Sequence, residues 1–78
     1  MDAHKSLRRD RFERVAARRV RSILQHLDHL TNCSNRNNYE YETGDVKKMF
    51  SAVRDKVRTA EAAFDKELAR SHKDTFTF

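Results

Sequence analysis

Between Asp10 and Leu30, apolar residues recur at Phe12, Ala16, Val20, Ile23, Leu27 and Leu30, at intervals of 4, 4, 3, 4 and 3, with Val15 and Leu24 widening the stripe. Intervals of three and four return side chains to one face of a helix, so the pattern predicts an amphipathic helix over residues 10–31. Asp10 and Glu13 have the D-x-x-E form of a capping box. Both acids suit the positive end of the helix dipole, whereas Arg8 and Arg9 do not, which sets the expected start at Asp10. Residues 1–9, among them His4, Lys5 and Leu7, either extend the helix or fray. Asn32 is the expected stop.

A second series, Val46, Phe50, Val53, Val57, Ala60, Phe64 and Leu68, runs at 4, 3, 4, 3, 4 and 4, with Met49 and Ala63 beside it. This near-heptad seam predicts a helix over 44–70 that lies against another long helix at a shallow angle. Thr43 is the expected N-cap, and Asp45 falls in the first turn. At about 1.5 Å per residue, both helices would be roughly 30–40 Å long, and comparable lengths favour an antiparallel hairpin.

Residues 32–43 form the connecting loop, with Asn32, Asn35, Asn37 and Asn38 ahead of Tyr39-Glu40-Tyr41. Short amides compete for nearby backbone groups and disfavour helix. Such a loop exceeds the usual helix–helix connection, so it is either ordered by its own hydrogen bonds or functional. Tyr39 and Tyr41 are placed to anchor it on the helix ends. Residues 71–78 form a tail whose Phe76 and Phe78 are not expected to stay fully solvated.

The fold class is all-α. Each helix offers one apolar face, so two hairpins from separate chains would complete a homodimeric four-helix bundle, with Val53 and Val57 in the dimer core. The competing architecture is a monomer in which the N-terminal segment forms a third short helix and the Phe tail closes the core.

Composition narrows this further. With 78 residues the chain allows one domain and no enzyme built around a deep pocket. No Pro and a single Gly leave little to interrupt helices, which excludes β architectures. An apolar share of 37% is low for a self-sufficient core, so a second copy or a partner is expected. No apolar run approaches the roughly 18 residues of a membrane span, and no signal-peptide core opens the chain, so the expected setting is soluble and cytoplasmic, without membrane association. Cys33 stands alone, which fits a reducing compartment, and it reads as a buried small apolar group.

The net charge of +5 is unevenly spread. Arg8, Arg9, Arg11, Arg14, Arg18, Arg19 and Arg21 crowd the first helix, and residues 5–31 carry eight basic and three acidic side chains, against nine and eight over residues 32–78. The whole excess is thus assigned to the first helix. At about 100° per residue, Arg11, Arg14, Arg18 and Arg21 cluster opposite the apolar stripe as a ridge. Guanidinium groups one turn apart suit successive phosphates or a row of carboxylates. The plainer alternative is a solvated face paired with acids on neighbouring helices.

His26, His29 and Cys33 have metal-ligand spacing, but Asn32 interrupts the helix and no fourth ligand is specified, so no metal site is assigned. Gly44 is the single glycine, so backbone cradling of phosphate is unsupported, and no cofactor is expected. Asn35, Arg36, Asn37, Asn38, Tyr39 and Tyr41 either bond among themselves or present hydrogen-bonding and stacking groups to a partner. No nucleophile–base set or paired carboxylates can be assembled, so catalysis is not expected.

Asn32-Cys33-Ser34-Asn35, then Tyr39-Glu40-Tyr41, then Asp45-Val46-Lys47-Lys48-Met49-Phe50, resembles small, mostly uncharacterised helical proteins of bacterial mobile elements. Arg11-Phe12-Glu13-Arg14-Val15-Ala16 and Arg18-Arg19-Val20 are also similar, so the resemblance covers about residues 11–64. It implies a setting in which small non-enzymatic proteins bind DNA or block a nucleic-acid machine, as anti-CRISPR proteins do. The expected function is non-catalytic binding of nucleic acid or a nucleoprotein through the arginine ridge. The ridge has few base-reading side chains and the connection is too long for a helix-turn-helix, so sequence-specific readout is not implied. The alternative is a protein inhibitor or adaptor that meets an acidic protein surface.

Overall fold

The computed structural model describes residues 6–73, with side chains described over 6–70. His4, Lys5, Phe76 and Phe78, and with them the third helix and the core-closing tail, lie outside the described residues. Among the described residues there are two long α-helices, one short 3-10 turn and no strand, so the all-α expectation holds. The chain divides into two units, one reaching Glu40 and the other beginning at Tyr41.

In the first unit, α1 spans Leu7–Thr31, 25 residues, a length of about 37 Å. It starts three residues earlier than expected because Ser6 caps it. Ser6 has extended backbone, and its hydroxyl accepts the Arg9 N–H at 3.0 Å, satisfying one of the donors that a helix start leaves open. Asp10 then falls inside the first turn, where its charge still favours the dipole, and its N–H donates to the Ser6 carbonyl at 3.0 Å. Glu13 is not the partner in a box at Asp10. It receives the Arg9 guanidinium at 3.0 Å instead.

At the far end, Asn32 closes α1 as expected, with its N–H on the His29 and Leu30 carbonyls. Its φ of −63° is right-handed, so the chain does not leave through a left-handed cap; it tightens into a 3-10 turn over Asn32–Ser34. Asn35 then organises the connection. Its carbonyl accepts from Asn38 N–H at 3.1 Å and Tyr39 N–H at 3.0 Å, and its side-chain oxygen accepts from Asn37 N–H at 2.9 Å, an Asx turn. Cys33, expected to be buried, lies exposed in the 3-10 turn, where no packed surface reaches it.

In the second unit, α2 spans Thr43–Lys73, 31 residues or about 46 Å, longer than expected at its C-terminal end. Ser71–Lys73 were placed in the tail, but they hold no Gly or Pro to stop propagation and continue the helix. At the start, Thr43 is the first helical residue rather than the cap. Glu42 precedes it, its carbonyl accepting from Asp45 and Val46 N–H at 3.0 and 3.3 Å while its own N–H donates to Asp45 Oδ2 at 2.8 Å. Asp45 thus performs the reach-back half of a capping box, which a threonine hydroxyl cannot perform from the first helical position.

Among the described residues no side chain is buried. On α1 the stripe is half-buried at Val15, Leu27 and Leu30 and exposed at Val20, Ile23 and Leu24. On α2, Val53 is half-buried, while Val57 is 49% exposed and Phe64 59%. Of the two residues assigned to a dimer core, Val57 is therefore open and Val53 only partly covered. No described helix is long and apolar enough to cross a membrane.

Candidate functional site

Arg11, Arg14, Arg18 and Arg21 are all exposed on α1. Their spacing of 3, 4 and 3 gathers them within an arc of about 80° and along about 15 Å of helix, on the side away from Phe12, Ala16, Ile23 and Leu27. The four residues assigned to the ridge do share one face. Arg8 flanks that face on one side and Arg19 lies beside Phe12 at the edge of the apolar stripe, while Asp10, Glu13 and Asp28 fall on the other side.

None of the four ridge arginines forms an ion pair with a described residue. Asp10, one turn before Arg14, is the single acid at helical pairing distance from any of them. Some arginines elsewhere have local partners. Arg58 meets Asp55 at 2.7 Å and Arg70 meets Glu67 at 3.4 Å on α2. Arg9, excluded from the ridge by its angular position, pairs with Glu13, and its guanidinium carbon lies 5.4 Å from the centre of the Phe12 ring. That small cluster was not anticipated; Arg9 and Glu13 at i and i+4, with Phe12 alongside, were the available signal.

The helix bounds revise the charge balance. Over Leu7–Thr31, seven arginines face three acids, and over Thr43–Lys73 eight basic residues face five acids, so the excess is shared between the helices. Glu40 and Glu42 had offset the second helix in the coarser division, and they precede it. What distinguishes α1 is placement. All seven arginines fall between Arg8 and Arg21, and the last ten residues of the helix hold none.

The loop residues stand apart from the ridge, starting more than about 15 Å beyond Arg21 along the helix. Asn35 is committed to holding the loop through both its carbonyl and its side-chain oxygen. Arg36, Asn37 and Asn38 are exposed, Tyr39 is 52% exposed and Tyr41 is half-buried. His26 and His29 meet edge to face with ring centres 6.1 Å apart. Among the described residues no three His, Cys, Asp or Glu side chains come together as a ligand group.

The chain matches no protein-family model, no curated protein and no solved structure.

Proposed function

We propose that the protein is a non-catalytic helical binding module that engages nucleic acid, or a nucleoprotein, through Arg11, Arg14, Arg18 and Arg21. The supporting observation is that these four guanidiniums are exposed, aligned and without ion-pair partners among the described residues. Like charges three and four residues apart weaken a helix by a few tenths of a kcal/mol per pair. A polyanion along the ridge reverses this, because phosphates neutralise the row. The ridge lies opposite the apolar stripe, so it stays open when the stripe is covered. An antiparallel hairpin, doubled into a four-helix bundle by a second copy, would cover the stripes in this way. A cytoplasmic setting and a mobile-element origin belong to the same reading.

Anisotropy titrations of single- and double-stranded DNA and RNA across a salt series test it. Four arginine–phosphate contacts give a log–log salt slope of about −3 to −4. Absence of binding at low salt, or binding that survives replacement of all four arginines by Gln, would sink the assignment.

A second reading is a mobile-element inhibitor or adaptor that docks on an acidic protein surface. It draws on Tyr39, 52% exposed on a loop that Asn35 holds in shape. An exposed aromatic on a fixed loop suits a protein contact better than a phosphate backbone. Tyr39→Ala should then impair capture of a protein partner while leaving nucleic-acid binding intact.

A further inference from the structure

We propose that the apolar seam of α2 is covered by the same seam of a second copy, running antiparallel and centred between Arg58 and Thr59. The inference rests on the pairing of two copies included in the reading above and specifies which helices meet, in what direction and in what register.

The seam carries its large residues in the open. Phe50 is 36% exposed, Val57 49% and Phe64 59%. Along one edge, Lys47, Arg54, Glu61 and Leu68 follow at seven-residue intervals; along the other stand Met49, Lys56, Ala63 and Arg70. Arg54 and Glu61 are exposed, and neither has an ion-pair partner among the described residues.

In antiparallel packing each edge faces its own copy. Centred between Arg58 and Thr59, the pairing sets Arg54 against the partner's Glu61 and Glu61 against the partner's Arg54. Lys47 meets the partner's Leu68, Lys56 the partner's Ala63 and Met49 the partner's Arg70, so no like charges oppose one another. The seam itself alternates large on small, with Phe64 against the partner's Val53 and Val57 against the partner's Ala60, the arrangement that interdigitates best. Phe50 meets the partner's Glu67, a carboxylate that Arg70 holds at 3.4 Å.

Other arrangements lose these features. Sliding by one heptad in either direction sets Arg54 on the partner's Arg54, or Glu61 on the partner's Glu61, at the two-fold axis. Parallel pairing offers Lys56 against the partner's Glu61, but it stacks Phe on Phe, leaves Ala60 facing Ala60 and opposes the two Glu67 side chains.

Sedimentation equilibrium of the full chain, with Arg54→Glu, Glu61→Arg and the double exchange, tests the arrangement. Wild type should be dimeric. Each single exchange creates two like-charge contacts and should raise the dimer Kd about tenfold, and the double exchange should restore it to within a few-fold of wild type. A monomeric wild type overturns the pairing of copies itself, as when α1 of the same chain covers the seam. A dimer whose singles are silent, or whose double is no better than the singles, overturns only the register and direction. Cross-linking provides a readout independent of charge. In a Cys33→Ser background, Val53→Cys protein mixed with Phe64→Cys protein should form a disulfide-linked pair, whereas efficient linking of Val53→Cys to itself marks parallel pairing and overturns the proposal. Polyanion binding by these variants reports on the α1 ridge separately.

Discussion

Arg9 and Glu13, one turn apart on α1, form an ion pair at 3.0 Å that the four ridge arginines do not reproduce with any described residue. The pair separates Arg9, engaged with its own chain, from the four exposed arginines of the ridge. Arg9→Gln should therefore change polyanion affinity by less than about threefold, within the range of a surface charge remote from a contact. Replacing Arg11, Arg14, Arg18 and Arg21 together by Gln should abolish binding and flatten the salt dependence, while circular dichroism shows helix content unchanged or raised as the like-charge pairs disappear.

Ser6 is the next exposed point. Its hydroxyl is the capping acceptor for the Arg9 N–H at 3.0 Å. Ser6→Ala should cost about 1 kcal/mol of local helix stability and speed amide exchange at Leu7–Asp10, with little effect beyond the second turn. Exchange protection unchanged at Arg9 would show that the cap contributes nothing.

Gly44 gives a prediction of opposite sign. It lies in the first turn of α2 without positive φ, and a Cβ there would meet nothing within 4 Å. Gly44→Ala should stabilise α2 by about 0.4–1 kcal/mol, mainly by restricting the unfolded chain. Thermal denaturation followed at 222 nm would register the gain.

Asn35 should matter to loop order, because its side-chain oxygen accepts the Asn37 N–H at 2.9 Å. Asn35→Ala should raise amide exchange at Asn37 without altering α1 or α2. If protein capture by the inhibitor reading is real, this change should weaken it along with Tyr39→Ala.

The heptad seam supplies a stability test as well. Val53→Asp and Val57→Asp each place a carboxylate at a position assigned to the dimer core, where an unpaired charge is costly. Both variants should shift the protein towards monomer in light scattering, and indifference at both positions would remove them from any interface.

The helices were legible because apolar residues at Phe12, Val20, Ile23 and Leu27, and at Phe50, Val53, Val57 and Phe64, repeat with one period over many turns. Their ends were less so. Periodicity says where a face continues and little about which group satisfies the open amides, so the start expected at the acidic pair Asp10 and Glu13 lies at Ser6, and the cap expected at Thr43 lies at Glu42. The alignment of the ridge followed from the same helical period, but its lack of ion pairs did not, since Asp10 stands at pairing distance from Arg14 in sequence. Cys33 was assigned by residue preference alone, and preference yields wherever no core is near to enclose a small side chain.

With no described side chain sealed from water, each helix is held by bonds that close within a few residues. Taken singly, such elements unwind gradually from their ends on heating, so association with a second copy or a ligand would sharpen the calorimetric transition. Its midpoint would then rise with the logarithm of protein or ligand concentration, which makes the melting curve of this chain a binding isotherm.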